Sequence, residues 1–275
     1  MKINIGLRSA ADFFYKKLLP KAGKNSIMSV LNYTEWFYLD IKAIIFDKDG
    51  TLLDFDSFWI EVSVCALKDI LKKLGKENIP AEEILGALGV SEGTVDIDGL
   101  LCKGTYEQIG IAIYDVLKKY EVDVSSDETV KMTLEAYNKN ADFGIIKPAC
   151  ENLRETLERL KNSGIRLAVV TTDNGEITHK CLEGLGIENL FDMVYTDDGK
   201  TPVKPDPWCA KDFCGKFGIS AENAVMVGDT ATDVRFAKNA GIFVIGVGRE
   251  RERLASSADA VIPNVSHIFE VIKGA

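Results

Sequence analysis

The sequence predicts an α/β protein, a doubly wound parallel sheet interrupted by an inserted α-helical subdomain. Short apolar runs recur at Ala43 to Phe46, Ile165 to Val170, Phe191 to Tyr195, Ala224 to Val227 and Ile242 to Val247. Helical stretches separate the later runs, and this alternation implies right-handed βαβ units and a parallel sheet. Residues 54–146 break the alternation with helical periodicity only, so they read as an insertion. Several of the runs end abruptly in polar residues, where open parallel sheets place their ligand sites.

The first run, Ala43 to Phe46, is apolar and β-favouring and closes in Asp47-Lys48-Asp49-Gly50-Thr51. It reads as a buried strand and its exit loop. Two carboxylates at i and i+2 there are costly without a nearby cation; the plainer alternative is an Asx-type turn. Lys48, between them, is expected to point away on a strand-like path.

In the insertion, Ile60, Val64, Leu67, Leu71 and Leu74 recur at helix spacing and Gly75 closes the run. A short amphipathic piece spans Ala81 to Leu88. Gly89 to Gly104 reads as a glycine-rich loop, and helices follow over Thr105 to Tyr120 and Ser126 to Asn140. Beyond Pro148, helices are expected over Asn152 to Lys161, Glu176 to Leu185, Trp208 to Phe217 and Thr232 to Asn239. The Gly246 to Glu250 segment reads as a plain loop.

The 275 residues are 46% hydrophobic, enough for a sizeable core. A net charge of −9 argues against nucleic acid as a partner, although a metal ion or local Lys would still let an acidic protein bind an anion. Six scattered cysteines without a C-x-x-C pair, and only His179 and His267, disfavour zinc and favour free thiols. No apolar run is long enough to span a bilayer and no signal-peptide pattern is present, so a cytoplasmic location is expected. Residues 1–40 stand apart: six basic side chains against three acidic ones leave a net +3 there and −12 elsewhere. They read as an N-terminal extension with one amphipathic helix.

The polar strand ends assemble a chemistry. Asp47 and Asp49 follow one strand, Thr171 and Asp173 another, and Asp229 a third, with Asp233 one helical turn on. Lys204 lies in the Val203 to Pro207 loop. Converging carboxylates need a hard cation, and oxygen donors without His or Cys favour Mg²⁺. A Lys beside such an ion suits a phosphoryl group. An Asp nucleophile can form an aspartyl-phosphate, with a second carboxylate moving protons.

DKDGTL at 47–52, Thr171 after two valines, Lys204 in KPDP and GDTATD at 228–233 resemble, in order and spacing, the four motifs of the haloacid dehalogenase superfamily. The resemblance covers most of residues 42–265. It implies a Rossmann-like core (41–53 and 147–275) with a helical first-type cap (54–146). It further implies a phosphorylated Asp47, acid/base work by Asp49, Thr171 hydrogen-bonded to the phosphoryl oxygens, and Lys204 steadying both the nucleophile and the phosphate. Mg²⁺ would be held by the Asp47 carboxylate, the Asp49 backbone carbonyl and Asp229, with Asp233 close by; the alternative for Asp233 is a brace for its own helix. FDKDGTL followed by the acidic-aromatic segment Asp54 to Trp59, and T-x-D at the second motif, resemble phosphoglycolate-phosphatase-like hydrolases. The second Asp disfavours dehalogenation, and DGT leans away from the mutases, which often carry DGV.

The expected function is Mg²⁺-dependent hydrolysis of a small phosphate monoester, by a monomer or homodimer. The alternatives are a phosphotransferase or sugar-phosphate mutase, or a catalytically silent binding protein. Thr172, Lys103 and Trp59 are candidate substrate contacts, with cap core the alternative for Trp59. Asp173 reads as a supporting group, and Lys200 and Asp206 as solvated loop charges.

Overall fold

The computed structural model describes residues 39–249 and 251–273. The amphipathic helix expected within residues 1–40 lies outside them. The chain divides into two compact units, Asp54–Lys147 and the remainder.

In chain order, the elements begin with β1 (Leu39–Asp40) and β2 (Ala43–Phe46). The Asp54–Lys147 unit holds α1 (Phe55–Lys73), α2 (Ala81–Ala87), β3 (Val90–Ser91), β4 (Thr94–Val95), α3 (Leu100–Lys103), α4 (Tyr106–Lys119) and α5 (Ser126–Asn140). The chain then forms α6 (Leu153–Asn162), β5 (Arg166–Asn174), α7 (Gly175–Gly184), β6 (Met193–Asp197), α8 (Trp208–Phe217), β7 (Ala224–Gly228), α9 (Ala231–Ala240), β8 (Phe243–Gly246), α10 (Arg251–Leu254), β9 (Ala260–Val261) and β10 (Ile272–Lys273).

The main sheet has six strands in the order β6-β5-β2-β7-β8-β9, all parallel. The chain runs from β2 outward to β5 and β6, then returns to β7 and runs the other way. That reversal makes the carboxyl ends of β2 and β7 a topological switch point, where a crevice forms. Strand periodicity explains the two layers of core. Ile44, Phe46, Leu167, Val169, Val225, Val227 and Ile245 face one side with Leu153, Leu157 and Leu160 of α6. Ala43, Ile45, Ala168, Val170, Ala224, Met226 and Val244 face the other with Phe213 of α8 and Phe236 of α9. Successive residues of a strand point to opposite faces, so strands covered on both sides must be apolar throughout. Each fully buried Ile or Phe of these strands contributes about 1.5–3 kcal/mol of transfer free energy.

The helical unit has its own core. Ile109, Ile113, Val116 and Leu117 of α4 and Met132, Ala136 and Tyr137 of α5 are buried. A chain of hydrogen bonds runs through it: Tyr137 donates to Ser63 Oγ at 2.9 Å, and Ser63 donates to the Trp59 carbonyl at 2.7 Å. Thr105 and Gln108 form a capping box that starts α4.

The structure departs from the sequence expectations in short elements. The Gly89 to Gly104 stretch is a hairpin, β3 with β4, followed by α3. Glu92 and Gly93 both take positive φ, 50° and 76°, as a type I′ hairpin turn requires; Glu-Gly is a weak signal for it. β5 continues past Val170 to Asn174, with its register against β6 shifting between those residues. The Phe191 to Tyr195 strand begins instead at Met193, because Phe191 N closes the 3-10 turn Glu188–Leu190 by donating to the Glu188 carbonyl at 3.2 Å. α10, β9, β10 and the 3-10 turn Val265–Glu270 are too short to show a period, and no expectation covered them.

Candidate active site

The site grows from the ends of β2, β5 and β7. The backbone turn after β2 is closed by the Lys48 carbonyl, which accepts from Leu52 N at 2.8 Å and Leu53 N at 2.9 Å. Gly50 sits in this turn at φ +75°, and a Cβ there would overlap the Asp229 carboxylate. Glycine is therefore required twice over, by backbone conformation and by the approach of Asp229. Gly228, ending β7, does the same for Asp233: a Cβ would overlap that carboxylate.

Asp47, Asp229 and Asp233 each place a carboxylate oxygen within 4.8 Å of the others. Lys204 Nζ is wedged among them, paired with Asp47 Oδ1 and lying 2.7 Å from Asp233 Oδ1. Burial pushes the Asp47 carboxyl up to about 7, partly countered by Lys204 and reinforced by Asp233 and Asp49. Burial also raises Asp229 well above the usual carboxylate range, and the neighbouring Asp47 and Asp233 add to it. For Lys204, burial disfavours the cation, but the Asp233 and Asp47 carboxylates outweigh it and raise its pKa. Among the described residues, three carboxyl groups thus share one Lys here. Asp229 Oδ1 is buried with no hydrogen-bond partner among the described residues. An orphaned carboxylate oxygen beside two further carboxylates fits a hard divalent cation, which takes oxygen ligands.

Asp233 stands differently. Its Oδ2 accepts from Thr230 N at 3.0 Å and Thr230 Oγ1 at 2.6 Å, while Oδ1 accepts from Lys204. Thr230 Oγ1 in turn accepts from Asp233 N, closing a capping box at the start of α9. Both oxygens are engaged, so Asp233 is the brace of its helix and of Lys204, and Asp229 offers the more open ligand atom. The Thr-x-x-Asp spacing in GDTATD is the sequence signal for that brace.

Asp49 belongs to a second cluster. Lys48, read from the sequence as pointing away, instead turns inward: its side chain is fully buried, with Nζ 2.7 Å from Asp49 Oδ2 and 2.8 Å from Asp173 Oδ2. The strand alternation behind that expectation ends at Phe46, and the tight turn re-aims the side chain. Lys48 has its pKa raised, because Asp49 and Asp173 overcome the cost of burial. Burial, partly offset by Lys48, lifts Asp173 to about 6. Asp173 N donates to Thr171 Oγ1 at 3.2 Å, and Thr171 is buried at the end of β5. No sequence signal marks Lys48 as interior, since a Lys flanked by two Asp reads as solvated.

The remaining candidates are less engaged. Thr172 is exposed at the end of β5. Lys200 and Asp206 are exposed, as expected, and Asp206 accepts from Trp208 N at 2.9 Å. In the helical unit, Lys103 is exposed at the end of α3 and paired with Asp98, while Trp59 is buried and packs edge-on against Phe58 at 5.2 Å. No helix among the described residues is long and apolar enough to cross a membrane.

The chain is 29% identical over 246 residues to a phosphoglycolate phosphatase of Nitrosospira multiformis, covering 86% of this chain and 98% of that one. It is 26% identical over 211 residues to the pyrophosphatase PpaX of Halalkalibacterium halodurans, covering 76% and 85%. Among solved structures, a predicted phosphoglycolate phosphatase from Haemophilus somnus superposes with a TM-score of 0.63 at 24% identity, covering 84% of this chain and 98% of that one. At that identity the likeness speaks to the fold alone. A family model for haloacid dehalogenase-like hydrolase matches residues 41–241. Because that match takes in four of the six sheet strands (β2, β5, β6 and β7), the inserted helical unit and every carboxylate of both clusters, the chain belongs to the haloacid dehalogenase-like hydrolases.

Proposed function

We propose that this protein is a Mg²⁺-dependent phosphatase that hydrolyses a small phosphate monoester through a phosphorylated Asp47. The observation that carries the reading is the meeting of Asp47, Asp229 and Lys204 at the switch point of the sheet, with Asp229 Oδ1 buried and without a hydrogen-bond partner among the described residues. Asp47 attacks phosphorus while the bond to the leaving oxygen breaks, and Asp49 gives that oxygen a proton. Water then attacks the aspartyl-phosphate, Asp49 takes its proton, and inorganic phosphate leaves with Asp47 restored. Lys204 orients the Asp47 carboxylate and offsets phosphoryl charge, and Thr171 donates its hydroxyl to a phosphoryl oxygen. The Asp47 and Asp229 carboxylates would hold Mg²⁺, with the Asp49 backbone carbonyl as the family resemblance implies and Asp233 behind them. Bound there, the ion supplies positive charge to the phosphoryl oxygens.

Phosphoglycolate is the first substrate to try, on the strength of the Nitrosospira relative, and pyrophosphate the second, on that of PpaX. We take residues 54–146 as the cap that selects the substrate, and Lys103, Thr172 and Trp59 as the candidate contacts. Release of phosphate from a panel of phosphorylated metabolites, pyrophosphate included, tests the reading. The wild type should turn over at least one in Mg²⁺, and Asp47→Asn should turn over none while keeping its circular dichroism spectrum. Near wild-type activity in Asp47→Asn would refute the nucleophile assignment. An isomerised sugar phosphate with no free phosphate would favour a mutase instead.

A further inference from the structure

Lys48 is a wholly buried ammonium held by two carboxylates from neighbouring strands, Asp49 after β2 and Asp173 at the end of β5. An apolar side chain of the same volume would fill this place without the cost of burying charge. The register shift of β5 between Val170 and Asn174 falls where Asp173 leaves the regular ladder, the kind of irregularity that re-aims a side chain. Asp173 is tied back to Thr171 through its own N–H. Asp49 differs from Lys48 in access: 18% of its side chain remains exposed, against none for Lys48.

We propose that Lys48 and Asp173 are positioning residues, a buried ion pair that holds the Asp49 carboxylate in the orientation from which it passes protons. This rests on the reading of Asp49 as acid and base. Asp173 fixes Nζ from the neighbouring strand, and Nζ in turn fixes the direction of the Asp49 carboxylate. Lys48 and Asp173 touch no substrate and act only through Asp49.

The test is the dependence of kcat/KM on the leaving group, measured in Mg²⁺ with 2,4-dinitrophenyl phosphate, which leaves without a proton, and with an alkyl phosphate, which needs one. In Lys48→Met and in Asp173→Asn the ratio of activated to alkyl ester should rise about 10- to 100-fold, the range typical of losing a supporting group. Asp49→Asn should raise it at least as much. Lys48→Met added to Asp49→Asn should change it no further. A uniform loss on both esters, in step with a fall in melting temperature, overturns the proposal. Lys48→Met combined with Asp173→Asn removes both buried charges and guards against misfolding. A recovered melting temperature with the ratio still raised supports positioning, and a ratio that recovers with the melting temperature overturns it. A steep Asp49→Asn beside an unchanged Lys48→Met sinks this proposal alone. An Asp49→Asn with the wild-type ratio sinks the acid/base reading and this proposal with it.

Discussion

Lys204 Nζ lies 2.7 Å from Asp233 Oδ1, and the two side chains are 4% and 0% exposed. The same ammonium reaches Asp47, so one loop cation ties together the exits of β2 and β7. Removing one partner of a buried ion pair strands the other. Lys204→Met is therefore expected to destabilise the fold by about 3–5 kcal/mol and to abolish turnover. Denaturant unfolding beside phosphate release checks both; stability within the error of wild type would refute the placement of Lys204.

Ligand linkage separates Asp229 from Asp233. Mg²⁺ at about 100 times its dissociation constant should stabilise the folded protein by about 2.7 kcal/mol, seen as a rise in melting temperature. Asp229→Asn should erase that rise. Asp233→Asn should keep most of it while lowering the metal-free melting temperature, because Asp233 is spent on Thr230 and Lys204. EDTA should stop turnover in the wild type and added Mg²⁺ restore it. Equal loss of the Mg²⁺ response in both variants would make Asp233 a ligand.

The raised pKa of Asp47 sets a pH dependence for the metal-free protein. Its carboxyl is held at about 7 in the fold, against 3.8 as the ordinary value. A carboxyl raised by folding contributes stability that is present below the ordinary value and lost as pH rises through the folded one. In EDTA, wild type should therefore lose stability relative to Asp47→Asn between about pH 4 and 8, and Mg²⁺ should shrink the difference. Thermal melts of the pair across that range give the answer, and a difference of the opposite slope would contradict the burial argument.

Gly50 and Gly75 make a matched pair of substitutions. Both have positive φ, +75° and +64°, but a Cβ at Gly75 meets nothing within 4 Å whereas at Gly50 it enters the Asp229 carboxylate. Gly75→Ala should cost only the left-handed backbone penalty, about 1–2 kcal/mol. Gly50→Ala should cost more and lose Mg²⁺ stabilisation as well. Comparable losses at the two positions, read by calorimetry with and without Mg²⁺, would argue against close packing of Asp229 on the turn.

The sequence by itself determined the parallel sheet, the helical insertion and the identity of the groups at the strand ends. Apolar runs of the right length can be satisfied only by strands covered on both faces, and Asp47 and Asp229 sit where such strands must end. It did not determine the two-residue strands, such as those of the Val90–Val95 hairpin or β9, because so short a run has no period to read. Nor did it determine how the charges are shared. Tertiary structure alone decided that Lys204 is shared between Asp47 and Asp233, that Asp49 goes with Lys48, that Asp233 is consumed by its own helix start, and that Asp229 keeps a buried oxygen without a hydrogen-bond partner among the described residues. Burial and direction are properties of a packed turn, and a Lys between two Asp looks the same in sequence whether it faces water or the core.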